Sequence, residues 1–193
     1  MRNFWERGAD IETERLRLRA WSMHDMQGFL LFAADPEVMM AAGSKPVLSA
    51  DEARAELRRS VNDPYAYAIT LKSTGEIVGK IKYQRDNSRY NVHSISIGYE
   101  LARRYWGNGY MTEALRSMVR NAFDVMQVDL VAIGHFTEND RSRRVIERAG
   151  FLFDGVTPYA FKRFDGRIFD EVNYSILREE YESGSVSPRR RFS

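Results

Sequence analysis

The stretch Arg104-Tyr-Trp-Gly107-Asn-Gly109-Tyr110-Met-Thr-Glu-Ala114 decides how this 193-residue chain is interpreted. It follows an alternating strand pattern at residues 95–101 and opens an amphipathic helix at residues 111–126, whose apolar side chains recur every three or four positions. The first N–H groups of a helix lack intrahelical partners, and the helix dipole places partial positive charge there. Because glycine lets the backbone approach a ligand closely, this turn predicts a phosphate site at residues 104–110.

Composition is ordinary for a folded protein, with 44% hydrophobic and 29% charged residues and a net charge of +2. The sequence contains no cysteine, which excludes a thiolate nucleophile, a disulfide framework and a cysteine-ligated zinc site. No apolar run approaches the roughly 18 residues of a membrane span, and the first residues lack the apolar core of a signal peptide. We therefore expect a cytoplasmic protein that binds no membrane and, at this net charge, no nucleic acid.

Patterning elsewhere predicts a mixed α/β (α+β) fold. Helices are expected at residues 23–34, 49–61, 111–126 and 140–149, and strands at 15–20, 65–71, 77–84, 95–101, 128–136 and 151–156, followed by a hairpin of 160–164 with 168–177. Helices should flank a central, mostly antiparallel sheet of about seven strands, in which residues 95–136 form a β-α-β unit with parallel strands. We expect a single domain at residues 1–182 and a disordered basic tail at 183–193.

Four stretches together resemble the GNAT N-acetyltransferases, and specifically the branch of the ribosomal-protein alanine and serine N-acetyltransferases (RimJ/RimL-like). The resemblance covers roughly residues 12 to 180 and rests on Thr13–Arg19, Gly98-Tyr99-Glu-Leu101, Trp106–Ala114 and Asn139-Asp-Arg-Ser142 through Gly150-Phe151. A P-loop is excluded because no Walker lysine follows Gly109, and a dinucleotide fingerprint is excluded because Thr112 replaces its third glycine.

The resemblance implies acetyl-CoA as co-substrate, no metal, and a GNAT fold in which the two parallel strands splay apart. The family signature [Gln/Arg]-x-x-Gly-x-[Gly/Ala] falls on Arg104, Gly107 and Gly109, so that backbone N–H groups there would hold the pyrophosphate. The strand end at Tyr99 to Leu101 would pair with the pantetheine arm. The implied cofactor-binding residues are Tyr99, Leu101, Arg104, Trp106, Gly107, Asn108, Gly109, Tyr110, Asn139, Ser142 and Arg144, the last facing the 3′-phosphate.

Ser142 matches the family position that points toward the coenzyme A sulfur and is the implied proton donor to the leaving thiolate. A serine hydroxyl in the first turn of a helix can equally be a capping or solvent-exposed group. Many GNAT enzymes instead use a tyrosine one turn later, but Ile146 occupies that position here, which excludes a tyrosine acid from that site. Tyr159 and Tyr174 are weak substitutes.

Glu100 is the first candidate for the base that deprotonates the amine, because it lies on the strand that precedes the turn. The alternative is a solvent-facing carboxylate. His135, at the end of the second parallel strand, is expected to be a packed or surface histidine. Asp170 and Glu171 on the last strand are alternative acceptor-side carboxylates, whereas Glu113 in the first turn of its helix suits the dipole and is expected to be structural.

These observations predict an acetyl-CoA-dependent N-acetyltransferase that moves the acetyl group directly to a primary amine in a ternary complex. The amine could belong to a protein N-terminus or to a small molecule, and residues 36–48 and 157–170 are expected to form the acceptor loops. The alternatives are a non-catalytic acyl-CoA-binding sensor and a protein associated with RNA or the ribosome. A homodimer stays open.

Overall fold

A computed structural model describes residues 9–184 of the chain. Six α-helices form in this part: α1 (Met26–Ala33), α2 (Pro36–Ala41), α3 (Ala50–Asn62), α4 (Tyr110–Asp124), α5 (Asp140–Ala149) and α6 (Arg178–Ser183). Eight strands accompany them: β1 (Ile11–Glu12), β2 (Leu16–Ala20), β3 (Ala66–Leu71), β4 (Ile77–Arg85), β5 (Ser94–Leu101), β6 (Leu130–Phe136), β7 (Leu152–Lys162) and β8 (Ile168–Leu177). Ser183, expected as the first residue of the disordered tail, is instead the last residue of α6. The rest of the expected tail, residues 185–193, lies outside the described part.

All eight strands form one mixed sheet in the order β1-β2-β3-β4-β5-β6-β8-β7, which confirms the predicted fold class. Neighbouring strands are antiparallel except for β5 and β6, which are parallel. This pair is bridged only from Ser94 opposite Leu130 to Ser96 opposite Ala132. Both strands continue beyond the last bridge, so the sheet opens there into a V.

Helices cover both faces of the sheet, as predicted. One apolar core lies under α4 and α5 and includes the fully buried Leu115, Met118 and Ile146. The second core lies under α1, α2 and α3, around Phe32 and Leu57. A sheet sandwiched in this way is rigid at its centre, and it positions the V at its open end.

Two expected elements are wrong in detail. Residues 36–41, expected as loop, form α2, because the Asp35 carboxylate caps the Glu37 N–H and Pro36 occupies the first turn, where no N–H is needed. The separate strands expected at 151–156 and 160–164 are one irregular strand, β7, since β8 offers a continuous pairing edge. The irregularity lies near Tyr159, whose φ is +54° and whose N–H donates to the Asp170 carboxylate.

Glu113 in the first turn of α4 ties this helix to the turn between β1 and β2. Its carboxylate accepts hydrogen bonds from Thr13 Oγ1 (2.6 Å), Arg15 N (2.9 Å) and Arg15 Nε (2.7 Å). Partial burial alone would raise the pKa of Glu113, but the hydrogen bonds from Thr13 and Arg15 lower it overall. The expectation that Glu113 is structural agrees with these contacts.

The variant Glu113→Gln should therefore lower the free energy of unfolding by about 1–2 kcal/mol at neutral pH, because charge-assisted hydrogen bonds are lost. A carboxyl whose pKa is lowered by folding stabilises above its unfolded pKa of about 4.3, and that stabilisation disappears as pH falls through the lower folded value. Urea unfolding at neutral pH and near pH 3 measures the loss of stability and its dependence on pH. The control is Glu182→Gln, because the Glu182 carboxylate is 61% exposed. A deficit that grows in acid would contradict this assignment.

Candidate active site

A cleft of about 910 Å³ occupies the V between β5 and β6. Its walls come from both strands, the turn before α4, the first turns of α5, helix α2 and the hairpin of β7 and β8. Most of the residues expected to bind a cofactor line it: Tyr99, Leu101, Trp106, Gly107, Gly109, Tyr110, Asn139, Ser142 and Arg144.

The edge of β5 that faces the V presents backbone groups. Ala102 N donates to Val78 O (2.9 Å), and hydrogen-bonding direction alternates along an antiparallel strand, so the N–H groups of Tyr99 and Leu101 point away from β4 toward the V. Pairing with β6 has ended at Ser96. The Leu101 carbonyl is satisfied by the Trp106 indole N–H at 2.8 Å. This edge therefore offers the Tyr99 and Leu101 N–H groups to an extended ligand.

The start of α4 forms the second backbone site. Gly107 and Gly109 have φ of +82° and +77°, which only glycine adopts without strain. Gly109 is the N-cap of α4 and brings no side-chain acceptor to the helix N-terminus. A Cβ placed on Gly107 would meet nothing within 4 Å. The first-turn N–H groups of α4 are thus open to an anion, as the sequence predicts.

Arg104 and Asn108 have structural contacts around this turn and do not line the cleft. The Arg104 guanidinium lies 3.3 Å from Glu76 and stacks on the Tyr105 ring. Asn108 Nδ2 donates to the carbonyls of Tyr105 (3.1 Å) and Trp106 (3.2 Å). Their side chains therefore shape the turn in this structure.

Asn139 and Ser142 begin α5 on the opposite arm of the V. Asn139 Oδ1 accepts from Ser142 N (3.1 Å), which makes it the N-cap, and Asn139 Nδ2 donates to Ala41 O (3.2 Å). The Ser142 hydroxyl lies 2.7 Å from the Tyr99 hydroxyl of β5. Burial raises the pKa of Tyr99 well beyond its usual range, so the phenol stays protonated. The sequence predicts only a backbone role for Tyr99, so this pair of hydroxyls was not predicted.

Glu100 is buried, so the solvent-facing alternative is wrong. It is 9% exposed, lines the cleft, and lies on the face of the sheet opposite to the α4 core. Its Oε2 is 3.5 Å from Lys80 Nζ and receives no hydrogen bond from the described part of the chain. Lys80 therefore compensates the Glu100 charge within the protein.

The other candidate acids and bases differ in their contacts and in whether they line the cleft. His135 is buried, with Nδ1 2.7 Å from Phe136 O and Nε2 3.4 Å from the Tyr174 hydroxyl, which agrees with a packed histidine. Asp170 is engaged with the Tyr159 N–H, as described above, whereas Glu171 lines the cleft. Neither Tyr159 nor Tyr174 lines it.

Helix α2 spans the mouth of the cleft as a strap. Its Glu37 carboxylate accepts hydrogen bonds from Arg103, in the short 3-10 helix before α4 (3.1 Å), and from Arg141 of α5 (2.7 Å). Arg163 of the β7–β8 hairpin donates to Met40 O at the other end of α2 (3.2 Å). The strap thus connects both arms of the V. Asp35-Pro36 is the local sequence signal that could have located it.

Within residues 9–184, no cluster of three or more metal-ligating side chains forms, and no helix has the length and apolar character needed to cross a membrane. The candidate reactive groups in the cleft are the backbone N–H groups of β5 and α4, the hydroxyls of Tyr99 and Ser142, and the carboxylates of Glu100 and Glu171. Such a set suits acyl transfer to a nucleophile that arrives with its own proton.

Comparison with known proteins identifies the family. The sequence pattern of the acetyltransferase (GNAT) domain matches residues 15–152. The "Uncharacterized N-acetyltransferase p20" of Bacillus licheniformis is 26% identical over 180 residues, which cover 89% of this chain and 97% of that protein. The "Putative ribosomal N-acetyltransferase YdaF" of Bacillus subtilis is 32% identical over 129 residues, covering 65% of this chain and 67% of that protein.

A solved GNAT-family acetyltransferase from Bacillus anthracis superposes with a TM-score of 0.80 at 23% identity, covering 89% of this chain and all of that one. The overall fold agrees with this likeness. The chain belongs to the GNAT acetyltransferase family and is an N-acetyltransferase. Members of this family use acetyl-CoA as the acetyl donor.

Proposed function

We propose that this protein transfers the acetyl group of acetyl-CoA directly to a primary amine within a ternary complex. The observation that carries the proposal is the unpaired edge of β5, followed after a short turn by the N-terminus of α4, which has no side-chain cap. An extended amide-bearing arm that ends in phosphates matches this sequence of backbone donors. The absence of cysteine in the sequence argues against a thioester acyl-enzyme.

The roles of individual groups follow from their places in the cleft. The N–H groups at Gly107 and Gly109 and at the start of α4 hold the pyrophosphate, and those of Tyr99 and Leu101 pair with the pantetheine amides and polarise the thioester carbonyl. Acetyl-CoA supplies an activated carbonyl carbon. Ser142, hydrogen-bonded to Tyr99, donates toward the departing sulfur. Glu100 and Glu171 are the carboxylates on the acceptor side.

The acceptor is a protein N-terminal amine or a small-molecule amine. The name of the Bacillus subtilis relative favours a ribosomal protein N-terminus and with it the RimJ/RimL-like branch. Arg144 lines the cleft on α5 and suits the 3′-phosphate of the donor. Arg104 and Asn108 contribute backbone groups to the turn.

The proposal is tested by release of free thiol from acetyl-CoA in the presence of N-terminal peptides beginning with Ala or Ser and of small primary amines. Thiol release that depends on the acceptor, with acetylated product confirmed by mass spectrometry, is the expected result. Tight binding of acetyl-CoA without release on any acceptor would favour the sensor, and no binding at all would overturn both.

A further inference from the structure

Glu171 is a cleft carboxylate that the fold leaves uncompensated. It lies on β8 with Phe136 of β6 as its Cα partner and is half-buried. It lines the cleft together with the expected acceptor segment at residues 157–170, and we call this part of the cleft the acceptor half. Across residues 9–184 its carboxylate makes neither a hydrogen bond nor an ion pair, and burial raises the pKa of Glu171. A buried charge without a partner is costly unless a ligand supplies one.

The neighbouring strand is built to accommodate this side chain. A Cβ added to Gly134 would lie 2.5 Å from Glu171 Oε1 and 2.8 Å from its Cδ. Any other residue at position 134 would therefore displace the carboxylate from the floor of the cleft. Gly134 has no positive φ that would require glycine, so the close approach of the Glu171 side chain is the structural reason for glycine at this position.

Glu100 provides the contrast within the same cleft. Its charge is balanced by Lys80 at 3.5 Å, so a cation that enters the cleft gains less from Glu100 than from Glu171. Arg163 also lines the acceptor half, but Asp165 neutralises it through a 2.6 Å ion pair. The remaining charged or titratable side chains along this wall are Lys82 of β4, Glu138 and the packed His135.

Three aromatic residues lie on the sheet face that carries Glu171 and line the cleft with it. The Phe136 ring lies 5.2 Å from that of Phe161 and 4.9 Å from that of Phe169, centroid to centroid. Arg163 and Arg167 already lie over Phe169, at 4.7 and 4.9 Å. A carboxylate beside aromatic faces is the arrangement that binds an ammonium group while shielding it from water.

We propose that Glu171 receives the acceptor's ammonium group and takes its proton. This inference rests on the proposed function and assigns the base to Glu171 instead of Glu100. One N–H proton moves to the Glu171 carboxylate, and the freed nitrogen lone pair forms the C–N bond with the thioester carbonyl carbon. The C–S bond then breaks. The Ser142 hydroxyl gives its proton to the departing thiolate and takes the second amine proton in exchange. A carboxyl whose pKa lies nearer neutrality is the more effective base.

The test compares Glu171→Gln with Glu100→Gln on benzylamine and an Ala-initiated peptide, with Glu182→Gln as a surface control. Glu171→Gln should lower kcat/KM at neutral pH by about 100-fold or more and remove the acid limb of its pH profile, without changing acetyl-CoA affinity. Phenylhydrazine has the shape of benzylamine but carries no charge at neutral pH, so it should restore most of the loss. A structural role for Glu171 would show no such rescue.

A second measurement needs no acceptor. Carbon-13 NMR of the glutamate carboxyl groups, with the Glu171 signal assigned by its loss in Glu171→Gln, should give a pKa above the ordinary value. An ordinary pKa overturns the assignment, as does loss of the acid limb in Glu100→Gln with retention in Glu171→Gln. Failure of the unmodified chain to acetylate any amine would instead contradict the proposed function, which keeps the two failures distinct.

Discussion

Replacing Gly107 by Trp should weaken acetyl-CoA binding by at least about 100-fold, which corresponds to about 2.7 kcal/mol. No neighbouring atom blocks a side chain at this position, since a Cβ there meets no atom within 4 Å. An indole would therefore stand in front of the α4 N-terminus, where the N–H groups must approach the pyrophosphate. Isothermal titration with acetyl-CoA measures the loss.

Gly75→Trp is the matched control for this experiment. Gly75 has φ of +74°, open space around its Cβ position, and a place in the β3–β4 turn away from the cleft walls. Both variants place a side chain in the left-handed region and should lose a similar amount of stability, about 1–2 kcal/mol. Only Gly107→Trp should lose binding. Unchanged affinity in a folded Gly107→Trp protein would contradict the pyrophosphate assignment.

Replacing Ile146 by Ala should lower the free energy of unfolding by about 2–5 kcal/mol. Ile146 is the buried residue through which α5 is anchored to the core, while the rest of this ten-residue helix is exposed or half-buried. Asn139 and Ser142 sit on the same helix, so its loosening should also weaken acetyl-CoA binding. Urea unfolding and titration on the same preparation measure both effects.

Ile146→Val calibrates that result, because it removes one methylene and should cost only about 0.5–1.5 kcal/mol with little change in binding. If Ile146→Ala were no more destabilising than Ile146→Val, then α5 would be held by its polar contacts with β5 and α2. The isoleucine side chain has no ionisable proton, so this position cannot supply an acid. Its side chain points into the core beneath the cleft.

Elements encoded by local signals were predicted well. The apolar stripe of α4 needs only its own residues, and Gly150 ends α5 with φ of +99°, as its position in the sequence indicates. The parallel arrangement of β5 and β6 follows from the helix between them, which returns the chain to the end of the sheet where β5 began. The turn at Gly107 and Gly109 was predicted because backbone geometry that requires glycine is visible in the sequence itself.

Elements that depend on distant partners were missed or wrongly divided. Strands 151–156 and 160–164 were expected to be separate, but both pair with β8, on either side of an irregularity between Thr157 and Phe161, and so belong to one strand. Helix α6 and the two-residue strand β1 have too short a pattern for periodicity to reveal. The intrinsic strand propensity of a segment has little influence on its structure when a neighbouring strand supplies the backbone hydrogen bonds.

The candidate site shows the same division. Backbone donors were predictable, whereas the contact of Tyr99 with Ser142 spans 43 residues of sequence and the ion pair of Lys80 with Glu100 crosses two strands. The strap is the extreme case, since Glu37 meets Arg141 at a separation of 104 residues. Contacts between residues so far apart along the chain cannot be predicted from residue spacing in a single sequence.

The open edge of β5 couples the folding equilibrium of the chain to ligand binding. A ligand that pairs with the Tyr99 and Leu101 N–H groups binds only the folded chain, since no such edge exists once the sheet is lost. At a concentration 100 times its dissociation constant, such a ligand adds about 2.7 kcal/mol to the free energy of unfolding. Resistance of the chain to unfolding and proteolysis thus rises and falls with the supply of that ligand.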